Sequence, residues 1–175
     1  IAGMPHLHKA NALSPNQPQV LFSLGNGYAV ANRLDSAEFF YEKCGAAGGH
    51  NPELFYFLGR IKDKMGKGQE AEANYKKALE LKVDYAECIR SLGILYITEG
   101  RYTEASMEFE RVLVSDSTNP SSWIGLGAAY ALEGRTKKAD TILNMLMLAD
   151  STMGKELLRV IKQERDRQKE KSGKK

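Results

Sequence analysis

Few side chains in this sequence could do chemistry, and their spacing decides against most of it. The histidines are His6, His8 and His50. Two imidazoles can hold a metal from one helix when they stand four residues apart on one face. His6 and His8 are only two apart and leave a helix on different sides. His50 lies in the glycine-rich segment from Gly45 to Pro52 and reads as a solvated loop residue. Cys44 and Cys88 have no cysteine near either of them, so they read as buried structural thiols rather than a disulfide or a metal pair. Gly25, Asn26 and Gly27 look faintly like a phosphate-cradling loop. They sit inside a helical pattern, however, whereas such a loop must precede its helix. No Ser-His-Asp set or carboxylate pair can be assembled. The expectation is a protein without a catalytic site, metal or cofactor, acting through its surface.

The elements that would build that surface announce themselves by period. Gly25, Gly59, Gly93 and Gly127 recur every 34 residues, each preceded by a leucine: Leu24, Leu58, Leu92 and Leu126. Ala37, Ala71, Ala105 and Ala139 hold the same period, as do the bulky Tyr41, Tyr75, Phe109 and Leu143. Tyr28, Lys62, Tyr96 and Tyr130 share another position, and Leu21, Phe55, Ile89 and Trp123 a further one. A fixed period of this size signals stacked supersecondary units, none able to bury its apolar face alone. Small residues at the glycine and alanine positions let two helices approach closely, and the large ones fill the remaining volume. Asn32, Gly66, Gly100 and Gly134 stand where the turn between helices needs positive φ. Apolar spacing of three and four predicts helices over about 18–31, 35–46, 52–65, 68–82, 86–99, 102–115, 120–133 and 136–149.

This pattern resembles the tetratricopeptide repeat, whose signature of tryptophan, leucine-glycine, tyrosine and alanine is best matched by Trp123, Leu126, Gly127, Tyr130 and Ala139. The resemblance implies an all-α fold, a right-handed α-solenoid of helix-turn-helix repeats at 18–51, 52–85, 86–119 and 120–153. Ala10, Leu13 and Pro15 fit the second helix of a preceding unit in residues 1–17, with Pro5 confining the helix to about 6–13. The chain thus begins mid-repeat and reads as a fragment or processed form. Leu157, Val160 and Ile161 open a fifth first-helix in frame, so residues 154–175 are expected to form a capping helix and basic tail, fading into disorder over 172–175.

Charged residues are 27% of the chain and hydrophobic ones 42%, with a net charge of +3. Residues 155–175 hold nine Lys or Arg against four Asp or Glu, leaving the rest at 16 against 18. The basic excess therefore lies in the tail. Its acids are interleaved and it has no aromatic side chain for base stacking, so nucleic acid is the disfavoured partner and a solvated helix end the favoured reading. No apolar run approaches the roughly 20 residues that span a bilayer. Compartment stays open between cytoplasm and bacterial periplasm.

In this family the concave face is lined by the first helix of each repeat. The partner-binding candidates there are Phe22, Asn26, Tyr56, Arg60, Arg90, Ile94, Ile97, Ile124 and Leu132, with Ala128 and Ala131 on the same face. Apolar anchors flanking Arg60 and Arg90 suit a peptide whose carboxylate or carbonyl meets a guanidinium. Some relatives clamp acidic chaperone tails with a fixed set of lysine, asparagine and arginine; of that set only Asn26 is matched. The expected function is a non-enzymatic adaptor or scaffold binding a protein or peptide in this groove, with self-association as a second use of an apolar face. A bacterial secretion or pilus-assembly chaperone is one alternative. Nucleic-acid or anionic-membrane association through the tail is another.

Overall fold

The computed structural model describes residues 4–172, the side chains of 168, 171 and 172 excepted. Among the described residues there are ten helices and no strand: α1 (Met4–Leu13), α2 (Pro18–Val30), α3 (Leu34–Ala46), α4 (Pro52–Lys64), α5 (Gly68–Leu81), α6 (Ala86–Thr98), α7 (Tyr102–Ser115), α8 (Pro120–Glu133), α9 (Thr136–Ala149) and α10 (Ser151–Ser172). The fold is all-α and of the helical-repeat class. For α1 to α9 predicted and observed bounds agree within two residues, because caps and turns are written locally, whereas α10 begins three residues before the expected 154. Asn51 and Asn119 accept from the backbone N–H groups of Leu54 and Ser122, and the following Pro52 and Pro120 supply a fixed φ where no N–H is needed. Asn32, Gly66, Gly100 and Gly134 adopt φ of 56°, 74°, 77° and 87° at the turns.

Two compact units divide the chain, residues 1–88 and 89–175. In the first, α2 packs on α3, α3 on α4 and α4 on α5, while α1 lies against α2. Its core gathers Leu21, Ala37, Tyr41, Cys44, Leu54, Leu58 and Ile61. A Cβ added at Gly25 would stand 2.5 Å from the Tyr41 ring, and one at Gly59 2.6 Å from that of Tyr75. Glycine is therefore required by the ring beside it. The Cys44 thiol donates to the Pro18 carbonyl at 3.2 Å, and burial pushes its pKa up. Both cysteines are buried and free.

In the second unit, α7 packs on α8, α8 on α9, and α10 on both α8 and α9. Phe109 is buried against Gly93 on one side and Gly125 on the other. The fourth copy of the pattern departs from its register. Leu143 is only partly buried, whereas Ile142 and Leu146 of α9 are buried, and Leu157 of α10 fills the space before Gly127. With no aromatic ring on α9, the cavity is closed by the next helix instead. Leu157 and Ile161 form the buried stripe of α10, and Val160 is half-buried.

Pro5 does not delay α1, which runs from Met4. At the second described position of the helix its missing N–H costs no hydrogen bond. Met4 packs on Gly27, and the His8 ring lies beside Tyr28 and Phe40, with Nε2 2.9 Å from the Tyr28 hydroxyl. α10 continues to Ser172, against the expectation of disorder from that residue on, and the expected disorder of residues 173–175 lies outside the described residues.

One repeat position changes its chemistry along the chain. Arg33 covers the ring of Tyr28 at 4.9 Å, Arg101 that of Tyr96 at 4.1 Å, and Arg135 that of Tyr130 at 4.4 Å. The remaining copy has Lys62 and Lys67 in these places. Lys62 is buried and meets Glu38, Glu70 at 2.7 Å and Glu42 at 3.2 Å, while Lys67 reaches Glu38 at 3.1 Å. Desolvation by itself would raise the Glu38 carboxyl, but hydrogen bonds and charge from Lys62 and Lys67 outweigh it and hold the pKa below its usual value. Desolvation likewise opposes the Lys62 ammonium, and its three carboxylates overcome that and push its pKa up.

Candidate functional site

The first-helix faces carry the sequence-derived candidates, and the first unit arranges its four in two ways. Asn26 and Arg60 share a pocket of about 450 Å³, lined also by Ala29, Val30, Tyr41, Phe57, Ile61 and Lys64. Phe22 and Tyr56 flank this space as parts of an aromatic stack. Phe22 lies 5.7 Å from Tyr41 and 5.8 Å from Phe57, ring to ring. Tyr56 lies 5.2 Å from Phe57, 5.0 Å from Tyr85 and 6.2 Å from Tyr75. Both are therefore half-buried supports more than free anchors. The i, i+4 spacing of Arg60 and Lys64 puts both heads on one side of α4.

Polar groups at the pocket are oriented but not consumed. The Tyr41 hydroxyl donates to Asn26 Oδ1 at 2.6 Å, fixing the amide so that Nδ2 remains a donor. Burial pushes the Tyr41 phenol well up, with Arg60 acting in the opposite sense, so it stays protonated and keeps donating. The Arg60 guanidinium is 5.7 Å from the Tyr56 ring centroid. Among the described residues no carboxylate pairs with Arg60 or Lys64. Both are exposed, while Val30 at the rim is 81% exposed.

In the second unit Arg90, Ile97, Ile124 and Leu132 are half-buried and Ile94 is 53% exposed. Ala128 and Ala131 are buried, against the expectation that they face the groove. A methyl group is short enough for neighbouring side chains to close over it. Lys64, Phe57 and Ile61 escaped the sequence reading of the site. The one signal in the sequence for Lys64 is its spacing of four from Arg60.

No group of three or more metal-ligating side chains occurs among the described residues, and no described helix is long and apolar enough to cross a membrane.

Residues 52–85, comprising α4, α5 and the turn after them, match the tetratricopeptide repeat model, and the same spacing runs through the chain. That segment is a tetratricopeptide repeat, and the helical-repeat fold of the chain is that of tetratricopeptide proteins. Search of curated proteins yields no match. Among solved structures the chain is similar to YrrB, at 24% identity over 90% of this chain and 82% of that one with a TM-score of 0.79. MamA is similar at 19% identity over 97% and 89%, TM-score 0.71. A tetratricopeptide repeat protein from Parabacteroides merdae aligns at 18% identity over 88% and 62%, TM-score 0.80. These likenesses concern the fold. Tetratricopeptide proteins are in general non-enzymatic interaction modules, and the fold implies protein or peptide partners.

Proposed function

We propose that this chain is a non-enzymatic adaptor that holds a peptide or partner protein on the first-helix faces of its repeats. The observation carrying this reading is the α2–α4 pocket, where an apolar wall meets two cations that pair with no carboxylate among the described residues. Such a surface offers a partner apolar area to bury and cationic heads that can meet a carboxylate. YrrB, similar in fold, is described as having an unusual peptide-binding site, which agrees with this assignment. The basic tail is less suited to the role. Arg165 is paired with Asp140 at 2.8 Å, and Arg167 and Lys169 lie near Glu164 and Asp166.

The test uses exposed positions, so that the fold is not disturbed. After affinity capture and mass spectrometry supply a partner, Ile94→Ala and Val30→Asp each weaken the complex by about 1 to 2 kcal/mol with unchanged helicity. Deleting residues 165–175 leaves affinity intact. If the deletion abolishes binding and both variants bind normally, the tail is the site. If the variants convert a dimer to a monomer, the face is an assembly surface.

A further inference from the structure

We propose that Met147 is a site of reversible sulfoxidation, through which hydrogen peroxide or another two-electron oxygen donor loosens the start of α10. This goes beyond the adaptor reading and does not depend on it. The starting point is a glycine with no space beside it. A Cβ at Gly154 would fall 2.5 Å from Met147 Cγ and 2.9 Å from its Cα, and the nearest atom of all is Met147 Sδ. The thioether therefore lies against the α10 backbone, a place that suits an apolar, polarisable sulfur and not a bulkier or polar group. What the contact holds follows from the spacing of α10. Gly154, Leu157 and Ile161 are buried and stand three and four residues apart, so they form one stripe of the helix. Met147 covers the first position of that stripe, and Leu157 fills the space before Gly127. Further along, Arg165 is tied to Asp140 at 2.8 Å. The first turns of α10 thus lean on Met147, while a later turn has an anchor of its own.

Access and chemistry both favour the reaction. Met147 is 39% exposed, as is Met145 on the same helix, but the nearest neighbours of Gly154 are all atoms of Met147. A sulfur lone pair attacks one peroxide oxygen, the S–O bond forms as the O–O bond breaks, and the departing hydroxide takes the proton of the transferred oxygen to leave as water. Sulfur loses two electrons and peroxide gains them. The new oxygen then needs a hydrogen-bond donor. The amides of Asp150, Thr152 and Gly154 at this corner already donate, to the Leu146 carbonyl at 2.8 Å, the Asp150 carboxylate at 2.7 Å and the Asp150 carbonyl at 3.1 Å. The sulfoxide must either bury an unmatched oxygen or swing into water and uncover Gly154. Both outcomes weaken the first turns of α10.

The experiment treats the full chain with hydrogen peroxide, measures sulfoxide at each methionine by peptide mass spectrometry, and follows amide hydrogen exchange over residues 154–161. In the wild type, exchange there should quicken at least about tenfold as Met147 converts, with helicity by circular dichroism nearly unchanged. Methionine sulfoxide reductases supplied with a dithiol should reverse the change. Met145→Leu and Met153→Leu should keep the sensitivity, whereas Met147→Leu, a swap of similar volume, should abolish it. Full conversion of Met147 with exchange unchanged overturns the proposal, as does a Met147→Leu protein that responds to peroxide like the wild type. Resistance of Met147 to a dose that converts Met145 overturns it as well. Should Met147→Leu fail to fold, the wild type decides by itself: exchange that rises with sulfoxide at Met147 supports the proposal, and exchange that follows Met145 or Met153 instead overturns it.

Discussion

Where α8 carries Tyr130 beneath the Arg135 guanidinium, α4 carries Lys62 at the same repeat position, ringed by three glutamates. The two solutions fill one slot with different physics. In the α8–α9 pair an aromatic ring supplies volume, its hydroxyl donates to Glu110, and the arginine above it needs no burial. In the α4–α5 pair the aliphatic stem of lysine supplies the volume, and its ammonium must be matched by charge because it is withdrawn from water. A second contrast accompanies the first. Gly59 faces the ring of Tyr75 from its own pair, whereas Gly127 faces Ile142 of its own pair and Leu157, a flexible side chain borrowed from α10. One fold thus tolerates a rigid, self-contained pair and a pair completed by the following helix, and they should respond differently to the same insult.

The largest expected difference is at the glycines. Gly59→Ala sets a Cβ against a fully buried ring and should cost about 2 to 3 kcal/mol, read as a fall in melting temperature. Gly127→Ala should cost less than about 1 kcal/mol, because the end of Leu157 can move. Both changes gain the same helix propensity, so the difference isolates the contact. Equal losses would break the comparison.

Next in size is Lys62→Ala, which leaves Glu38 half-buried with only Lys67 and should cost about 2 to 3 kcal/mol. Its pH dependence sharpens the point. A carboxyl whose folded pKa lies below its usual 4.5 contributes stability above that value and loses it as pH falls through the depressed folded value. The wild-type urea midpoint should therefore drop as pH falls below 4.5, and Lys62→Ala should flatten that slope. A lysine with a raised pKa behaves oppositely, losing its contribution only as pH climbs above the usual 10.5. A slope unchanged by the substitution would mean that the cluster contributes nothing to acid sensitivity.

A smaller effect is expected when the α8 chemistry is transplanted. Lys62→Tyr combined with Lys67→Arg restores a ring under a guanidinium and keeps a cation beside Glu38, so stability should return to within about 1 kcal/mol of wild type. A loss as large as that of Lys62→Ala would show that the slot is not interchangeable. Smallest of all is Arg165→Ala, which removes an exposed pair with Asp140 and should change stability by less than about 0.5 kcal/mol.

Helix bounds, turn positions and the small-against-large packing scheme were legible in the sequence because each depends on residues near one another. An asparagine before a proline starts a helix, and a glycine or asparagine at the turn ends one, whatever lies elsewhere. The period of 34 extended that local reading to the partner of each glycine as far as Phe109. It failed at Leu143, since which side chain closes a cavity depends on all helices around it, and α10 reaches Gly127 with Leu157. The same limit applied to the surface. Register alone put Ala128 and Ala131 on an open face, and tertiary packing buried them. Register also gave Asn26 and Arg60 the same face, but only the folded chain brought them into one cavity with Lys64 and an apolar wall. Polar groups separated by a whole repeat, such as Asn26 and Arg60, become a site through distance, and distance is a property of the packed helices.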